Sequence, residues 1–196
     1  MDEEFRAVAA PPFSERGRVT DEFLGAFHEL WTSEAPRVDG RHVRFADIRF
    51  EPKPLQKPRP PIWVGGEGPV ALRRVARLGD GWYPVGNNPQ APLDTPARYA
   101  GQWKRLESEL ATARRDPGAI ARAYVAPGRC QPGERKRPDG ERQPFTGRPA
   151  DVAADIAGFA SAGVQHVFLS FAAPSLSEAE ADLTWFAEEV RPLLQS

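Results

Sequence analysis

The stretch Gly65-Gly66-Glu67-Gly68 joins residue types whose spacing suits one kind of chemistry, the holding of an anion. It ends an apolar run, Pro61-Ile62-Trp63-Val64-Gly65-Gly66, that is apolar on both faces as a buried parallel strand is. It also opens a helical pattern with Pro69 suited to the first turn. A helix starting there points unsatisfied backbone N–H groups beyond its N-terminus, and glycine lets such a backbone come close to a phosphate and adopt positive φ. Gly65, Gly66, Glu67 and Gly68 are therefore the candidate phosphate-binding residues. A plain tight strand-to-helix turn needs the same residues, and local sequence favours that simpler reading. A carboxylate at Glu67 repels phosphate unless it is turned away.

Other candidates surround this stretch. Trp82, in Asp80-Gly81-Trp82, either lines a cofactor cavity or packs as a core tryptophan between strand and helix. Trp63 and Phe168 are further candidates to line an inner face, and Asn87 and Asn88 follow a strand towards a functional rim. Arg73 and Arg74 read as solvated, with Asp80 a structural partner for one of them. The segment Pro127 to Arg148 mixes Arg129, Arg135, Lys136, Arg137 and Arg142 with Glu134, Asp139 and Glu141. It reads as a mobile solvated loop, long for a connection without structure of its own, or as a lid whose arginines meet phosphate. His28, His42 and His166 are scattered, and no HExxH, CxxC or GxSxG spacing occurs, so neither a metal site nor a catalytic acid–base set is expected. The catalytic residues stay unassigned.

The elements that must position these residues alternate. Strands are expected at Pro61–Gly66, Trp82–Val85, Ala121–Val125 and His166–Phe171. Helices between them start near Pro69, near Thr95-Pro96 with Tyr99, Trp103, Leu106 and Leu110 on one stripe, and at Pro149. A last helix opens on Ser177 and Glu180 at capping-box spacing and buries Leu183, Phe186, Val190 and Leu194. Such alternation predicts a parallel sheet with right-handed crossovers. Ahead of it lie one helix with Phe23, Phe27, Leu30 and Trp31, and a hairpin that turns at Asp39-Gly40 and returns through Ile48-Arg49-Phe50. A Pro-rich extended link, Glu51 to Pro61, follows. Four βα units make a small open sheet or half of an eightfold barrel, since a whole barrel takes about 250 residues and this chain has 196.

Composition narrows the class. The formal net charge of -1, with acids and bases mixed along the chain, directs the protein to neither nucleic acid nor an anionic membrane. The single cysteine, Cys130, excludes an intrachain disulfide and points to a reducing compartment. With no apolar run near the roughly 20 residues of a membrane helix and an acidic start, a cytoplasmic protein is expected.

An ordered set of motifs decides more than any of them alone. Phe13-Ser14-Glu15-Arg16-Gly17-Arg18, Asp21-Glu22-Phe23, Leu30-Trp31-Thr32, Asp39-Gly40, Pro52-Lys53-Pro54, Pro60 to Gly66, Leu72-Arg73-Arg74, Gly79-Asp80-Gly81-Trp82, Gly147-Arg148-Pro149 and Ala162-Gly163-Val164 stand in one order and spacing. Nearly the whole chain thereby resembles the luciferase-like flavin- or deazaflavin-dependent oxidoreductases, monooxygenases among them. The resemblance implies the C-terminal half of a TIM (β/α)8 barrel, one partial domain over 1–196, with helix, hairpin and link in 1–60 and four βα units in 61–196. It places Met1 just after the family's fourth strand. It implies FMN or an 8-hydroxy-5-deazaflavin coenzyme as cofactor, its phosphate near Gly65 to Gly68 and Trp82, and a small organic substrate, often with molecular oxygen. It turns the loop's arginines towards phosphate or the acidic tail of a deazaflavin. The family often carries Ser or Thr where Glu67 and Gly68 stand, so this chain departs from it there. Two readings remain open: an oxidoreductase whose phosphate-binding half this is, and a non-catalytic half-barrel that binds phosphate or self-associates through exposed sheet edges.

Overall fold

The computed structural model describes residues 2–194, and the chain divides into two compact units, Met1–Ile62 and Trp63–Ser196. The expected position of Met1 in a barrel lies outside the described residues.

In the first unit the acidic start forms a short helix α1 (Asp2–Ala7), so two helices stand here where one was expected. Three carboxylates in its first turn suit the positive end of the helix dipole. The main helix, α2 (Arg16–Thr32), follows. The hairpin pairs β1 (Val38–Asp39) with β2 (Arg44–Phe45), so its return arm comes earlier than Ile48–Phe50. The reason is a tether: the Glu22 carboxylate of α2 accepts the backbone N–H groups of His42 and Val43, each at 2.6 Å. Lys53 closes the far end of α2 by donating to the Leu30 and Ser33 carbonyls at 2.8 and 2.7 Å.

The second unit is a four-stranded parallel sheet in the order β3 (Trp63–Gly65), β4 (Gly81–Tyr83), β5 (Ala121–Arg129), β6 (His166–Ser170). Helices follow each strand: α3 (Pro69–Leu78), α4 (Pro96–Thr112), α5 (Pro149–Ser161) and α6 (Leu176–Trp185). Chain order equals strand order, as right-handed crossovers produce in a barrel-type sheet. Pro69, Pro96 and Pro149 each open their helix, where a missing N–H costs nothing. Thr95 caps α4 by accepting from the Arg98 N–H at 3.2 Å.

Strand alternation decides what each face carries. The register sets Val64 beside Trp82 and Trp82 beside Arg122, so these side chains share the helix-facing side. There Trp82 stacks on Tyr99, with ring centroids 5.1 Å apart, and approaches Trp103 at 6.2 Å, while Tyr124 stacks on Phe159 at 4.1 Å. Tyr99, Leu106, Leu110, Val75, Val152 and Phe159 are fully buried in the same layer. Truncating any one large side chain in such packing typically costs about 2–5 kcal/mol. The opposite face carries Trp63, Tyr83, His166 and Phe168, with Trp63–His166 and Tyr83–Phe168 centroids both at 4.9 Å. Trp63 and Phe168 thus lie on the inner face as expected, whereas Trp82 belongs to the helix side.

Two expectations are corrected. The segment after Val125 is not a structureless loop. β5 runs on through a bulge to Arg129, and residues 135–143 form a small hairpin closed by Arg137 N–H to Glu141 at 2.8 Å and Gln143 N–H to Arg135 at 2.7 Å. Phe145, Thr146 and Cys130 at its base are buried. Arg142 and Asp155 of α5 make a two-point ion pair at 2.8 and 2.7 Å, and the same carboxylate accepts the Phe145 N–H at 2.7 Å. The last helix is capped by Ser175, which accepts from Glu178 N–H, and not by Ser177. A π turn at Phe186–Val190 then shifts its register. Val190 stays buried, but Leu183 is 52% and Leu194 40% exposed, and Asp182 turns inward to Arg129. No helix of the described residues is long and apolar enough to cross a membrane.

The tether on the hairpin sets an expected outcome. Asp155→Ala strands the Arg142 guanidinium and the Phe145 N–H, a loss of about 2 kcal/mol for charge-assisted hydrogen bonds. Denaturant unfolding measures the loss, and trypsin should now cut after Arg135 or Lys136 well before the global transition. Wild-type stability with wild-type cleavage would show that the pair does not hold the hairpin.

Candidate functional site

Each of the first two connections of the sheet leaves the carboxyl end of its strand, where ligands of parallel sheets bind. After β3, Gly66 adopts φ +105°, and a Cβ there would meet the Ala71 Cβ at 2.8 Å. Only glycine fits that turn. Gly68 is the N-cap of α3, no side chain caps the helix, and Pro69 occupies its first position. The first-turn amides of Val70 and Ala71 therefore have no intrahelical acceptor. A Cβ on Gly68 would find open space.

Glu67 resolves the objection that its charge raises. Its side chain is 3% exposed and turned into the protein. The carboxylate accepts the Val85 N–H at 2.7 Å and the Asn88 side-chain amide at 2.6 Å, while its own carbonyl accepts from Gln102 of α4. Glu67 thus ties the β3–α3 turn to the β4–α4 loop through its side chain and to α4 through its backbone carbonyl. Trp82 has its part here: the indole is fully buried and donates from Nε1 to the Gly66 carbonyl at 2.9 Å. It positions the glycine turn and offers no ring surface to a ligand, so its expected cavity-lining place is corrected. Asn87 and Asn88 do stand on the rim, Asn87 exposed and Asn88 held by Glu67. Local sequence carried no signal for the Glu67 bonds, because they join residues 18 and 21 positions apart.

Three of the five basic residues between Arg129 and Arg142 are engaged with the protein. Arg129 pairs with Asp182 and Glu178, Arg142 with Asp155, and Arg137 with Asp94 at 2.8 Å and Asp139 at 3.3 Å. Asp80 lies 4.0 Å from Arg115, and Arg73 is exposed. Burial pushes the Asp94 carboxyl up, but the hydrogen bonds and charges of Arg98 and Arg137 outweigh it and leave it below its ordinary value. Burial pushes the Cys130 thiol up to about 12, with Asp182 and Asp155 adding to it, so the thiol stays protonated and unreactive at neutral pH. His28 lies on α2, His42 in the hairpin of the first unit, and His166 at the start of β6 in the second. Among the described residues no three His, Cys, Asp or Glu converge as metal ligands would.

A barrel-type parallel sheet with a glycine turn at its carboxyl rim defines an α/β protein of the TIM-barrel class. The sequence model of the luciferase-like monooxygenases matches residues 2–134, and the chain belongs to that family. It is 37% identical over 87 residues to the FMNH2-dependent dimethylsulfone monooxygenase of Pseudomonas putida, a match covering 43% of this chain and 24% of that protein. It is 29% identical over 107 residues to the phthiodiolone/phenolphthiodiolone dimycocerosates ketoreductase of Mycobacterium kansasii, covering 54% and 28%. The matched stretches thus span about a quarter of those relatives' length. Among solved structures, a monooxygenase from Streptomyces bottropensis superposes with TM-score 0.70 at 20% identity, over 97% of this chain and 65% of that one. An F420-dependent secondary alcohol dehydrogenase superposes with TM-score 0.72 at 16% identity, over 95% and 64%. At such identities these structures speak to the fold, which is that of the luciferase-like barrels, with four consecutive βα units present here.

The lowered Asp94 carboxyl gives a pH dependence with a definite sign. A depressed carboxyl stabilises the fold above the ordinary aspartate value and loses that contribution as pH falls through its native value. The Tm difference between wild type and Asp94→Asn should be present at pH 6 and close below about pH 4. A difference that persists unchanged at pH 2 would contradict the pairing with Arg98 and Arg137.

Proposed function

We propose that the chain is the phosphate-binding part of an oxidoreductase of the monooxygenase type, which uses reduced FMN or a deazaflavin coenzyme on a small organic substrate. The observation that carries this reading is the uncapped glycine turn at Gly65 to Gly68, with the Glu67 carboxylate withdrawn into hydrogen bonds. The cradle suits a phosphate group: a residue in the left-handed region, two first-turn amides and the positive end of α3 converge without a competing side chain. When bound, the coenzyme supplies the hydride or the reducing electrons of the reaction. This chain's residues contribute binding and orientation. Gly66 shapes the turn, Trp82 and Gln102 hold its carbonyls, and Glu67 keeps the adjoining loop in place. The names of the relatives, one dependent on FMNH2 and one neighbour on F420, support either coenzyme. The same phosphate cradle serves both.

A second reading has its own observation. The inner sheet face presents Trp63, Tyr83, His166 and a Phe168 that is 41% exposed, an apolar surface that suits self-association in a non-catalytic module. Reduced FMN and reduced deazaflavin, added separately to chain of measured solution mass, distinguish the two. Substrate-dependent oxidation above a cofactor-only control supports the enzyme. Its absence together with an oligomer supports the module.

The phosphate assignment has a sharper test at Gly68. Space exists for a side chain there, and aspartate is a favoured N-cap, so Gly68→Asp should leave stability equal or slightly higher. Its carboxylate would take the first-turn amides and repel phosphate, and FMN affinity should fall at least about tenfold (a loss of ~1.4 kcal/mol) while riboflavin, which has no phosphate, is unaffected. Equal FMN affinity in both proteins would remove the assignment.

A further inference from the structure

A cleft of about 410 Å³ opens beside the glycine turn, between the β4–α4 loop and the small hairpin of residues 135–143. Its walls are prolines, with Pro89 and Pro92 on the loop and Pro127 and Pro138 on the hairpin side. Lys136 and Arg137 stand at its edge with Asn87 and Asn88. The two carboxylates of the lining, Asp94 and Asp139, are already engaged by Arg137, and Arg98 stands behind Asp94 as a further cation. Lys136 is exposed.

Two unpartnered polar atoms lie near this place, one in its wall and one below its floor. The Arg137 Nε is buried without a hydrogen-bond partner, although its two terminal nitrogens are paired. The Tyr124 hydroxyl is likewise buried and unpartnered, directly under the floor made by Gly86 and Pro127. Gly86 has no side chain because that hydroxyl, with the Pro127 Cδ, fills the space a Cβ needs. Buried polar groups in folded proteins nearly always find partners, and an exception calls for an account. The Arg137 Nε, in the cleft wall, is a donor and lacks an acceptor, while the Tyr124 hydroxyl lies beneath the floor and outside the lining. The proline walls lack anything to hydrogen-bond and suit a flat apolar body.

We propose that this cleft binds a small organic acid with a flat apolar body, its acid group towards Lys136 and Arg137 and its body between the prolines. Glu67 connects the cleft to the glycine turn, since Asn88 is held by the Glu67 carboxylate. An occupant here therefore sits one loop away from the phosphate cradle without sharing its residues. The site is independent of the coenzyme assignment and is tested in the absence of coenzyme.

Calorimetric titration of the chain with benzoate, benzyl alcohol and inorganic phosphate separates the alternatives. Saturable binding of benzoate is expected, with benzyl alcohol at least tenfold weaker and phosphate unable to displace benzoate. Lys136→Gln, a surface change, should weaken benzoate at least threefold. No saturable binding of benzoate would overturn the proposal. So would equal affinity for benzyl alcohol, displacement by phosphate, or wild-type affinity in Lys136→Gln.

Discussion

The helix-facing side of the sheet buries Val64, Trp82 and Tyr124 in one layer with Tyr99, Trp103 and Phe159, and the glycine turn at the carboxyl rim is held from that layer. Close-packed aromatics tolerate little displacement, because each contact is short-ranged and the interior has few voids. With α4 held against β4 and β5 in this way, Gln102 comes within reach of the Glu67 carbonyl. The Trp82 indole couples the layer directly to the rim through the Gly66 carbonyl. A residue that serves the core thus also sets the conformation of the turn that would meet a ligand.

Glu67 carries the second constraint. A carboxylate at the mouth of an anion cradle is an electrostatic fault while it faces solvent. Turned inward, it satisfies the Val85 N–H and the Asn88 amide and leaves the helix amides uncapped. The same side chain that would oppose a phosphate becomes the brace between two loops.

The hairpin after β5 shows how a polar, proline-rich segment can be held without a core of its own. Arg142 grips Asp155 from one side, Arg137 grips Asp94 from the other, and Phe145 and Thr146 anchor the base. Each ion pair joins elements distant in sequence and is partly shielded from water, where charge-assisted bonds are stronger than on an open surface. The result is a fixed wall beside the rim and a cleft between wall and loop.

Periodicity alone was sufficient for the four βα units, the proline helix starts and the Tyr99–Trp103–Leu106–Leu110 stripe, because burial of one helix face imposes the 3.6-residue repeat directly on residue types. The glycine turn was equally legible, since positive φ at Gly66 leaves glycine as the residue without strain. Long-range pairing left no such trace. Whether Trp82 faced the helices or the inner side depended on register, and a strand's residues reveal alternation but not which side the helices cover. The start and face of α6 moved because Ser175 and Ser177 are equally good caps locally and a π turn leaves no periodic mark. The order in residues 130–148 came from Asp94 and Asp155, acids in other elements, and composition could only register their partners as a run of charge. Sequence by itself determined what repeats along the chain, the elements and the glycine turn. Only the tertiary structure decided which charges meet, because Coulombic and hydrogen-bond pairing acts between neighbours in space.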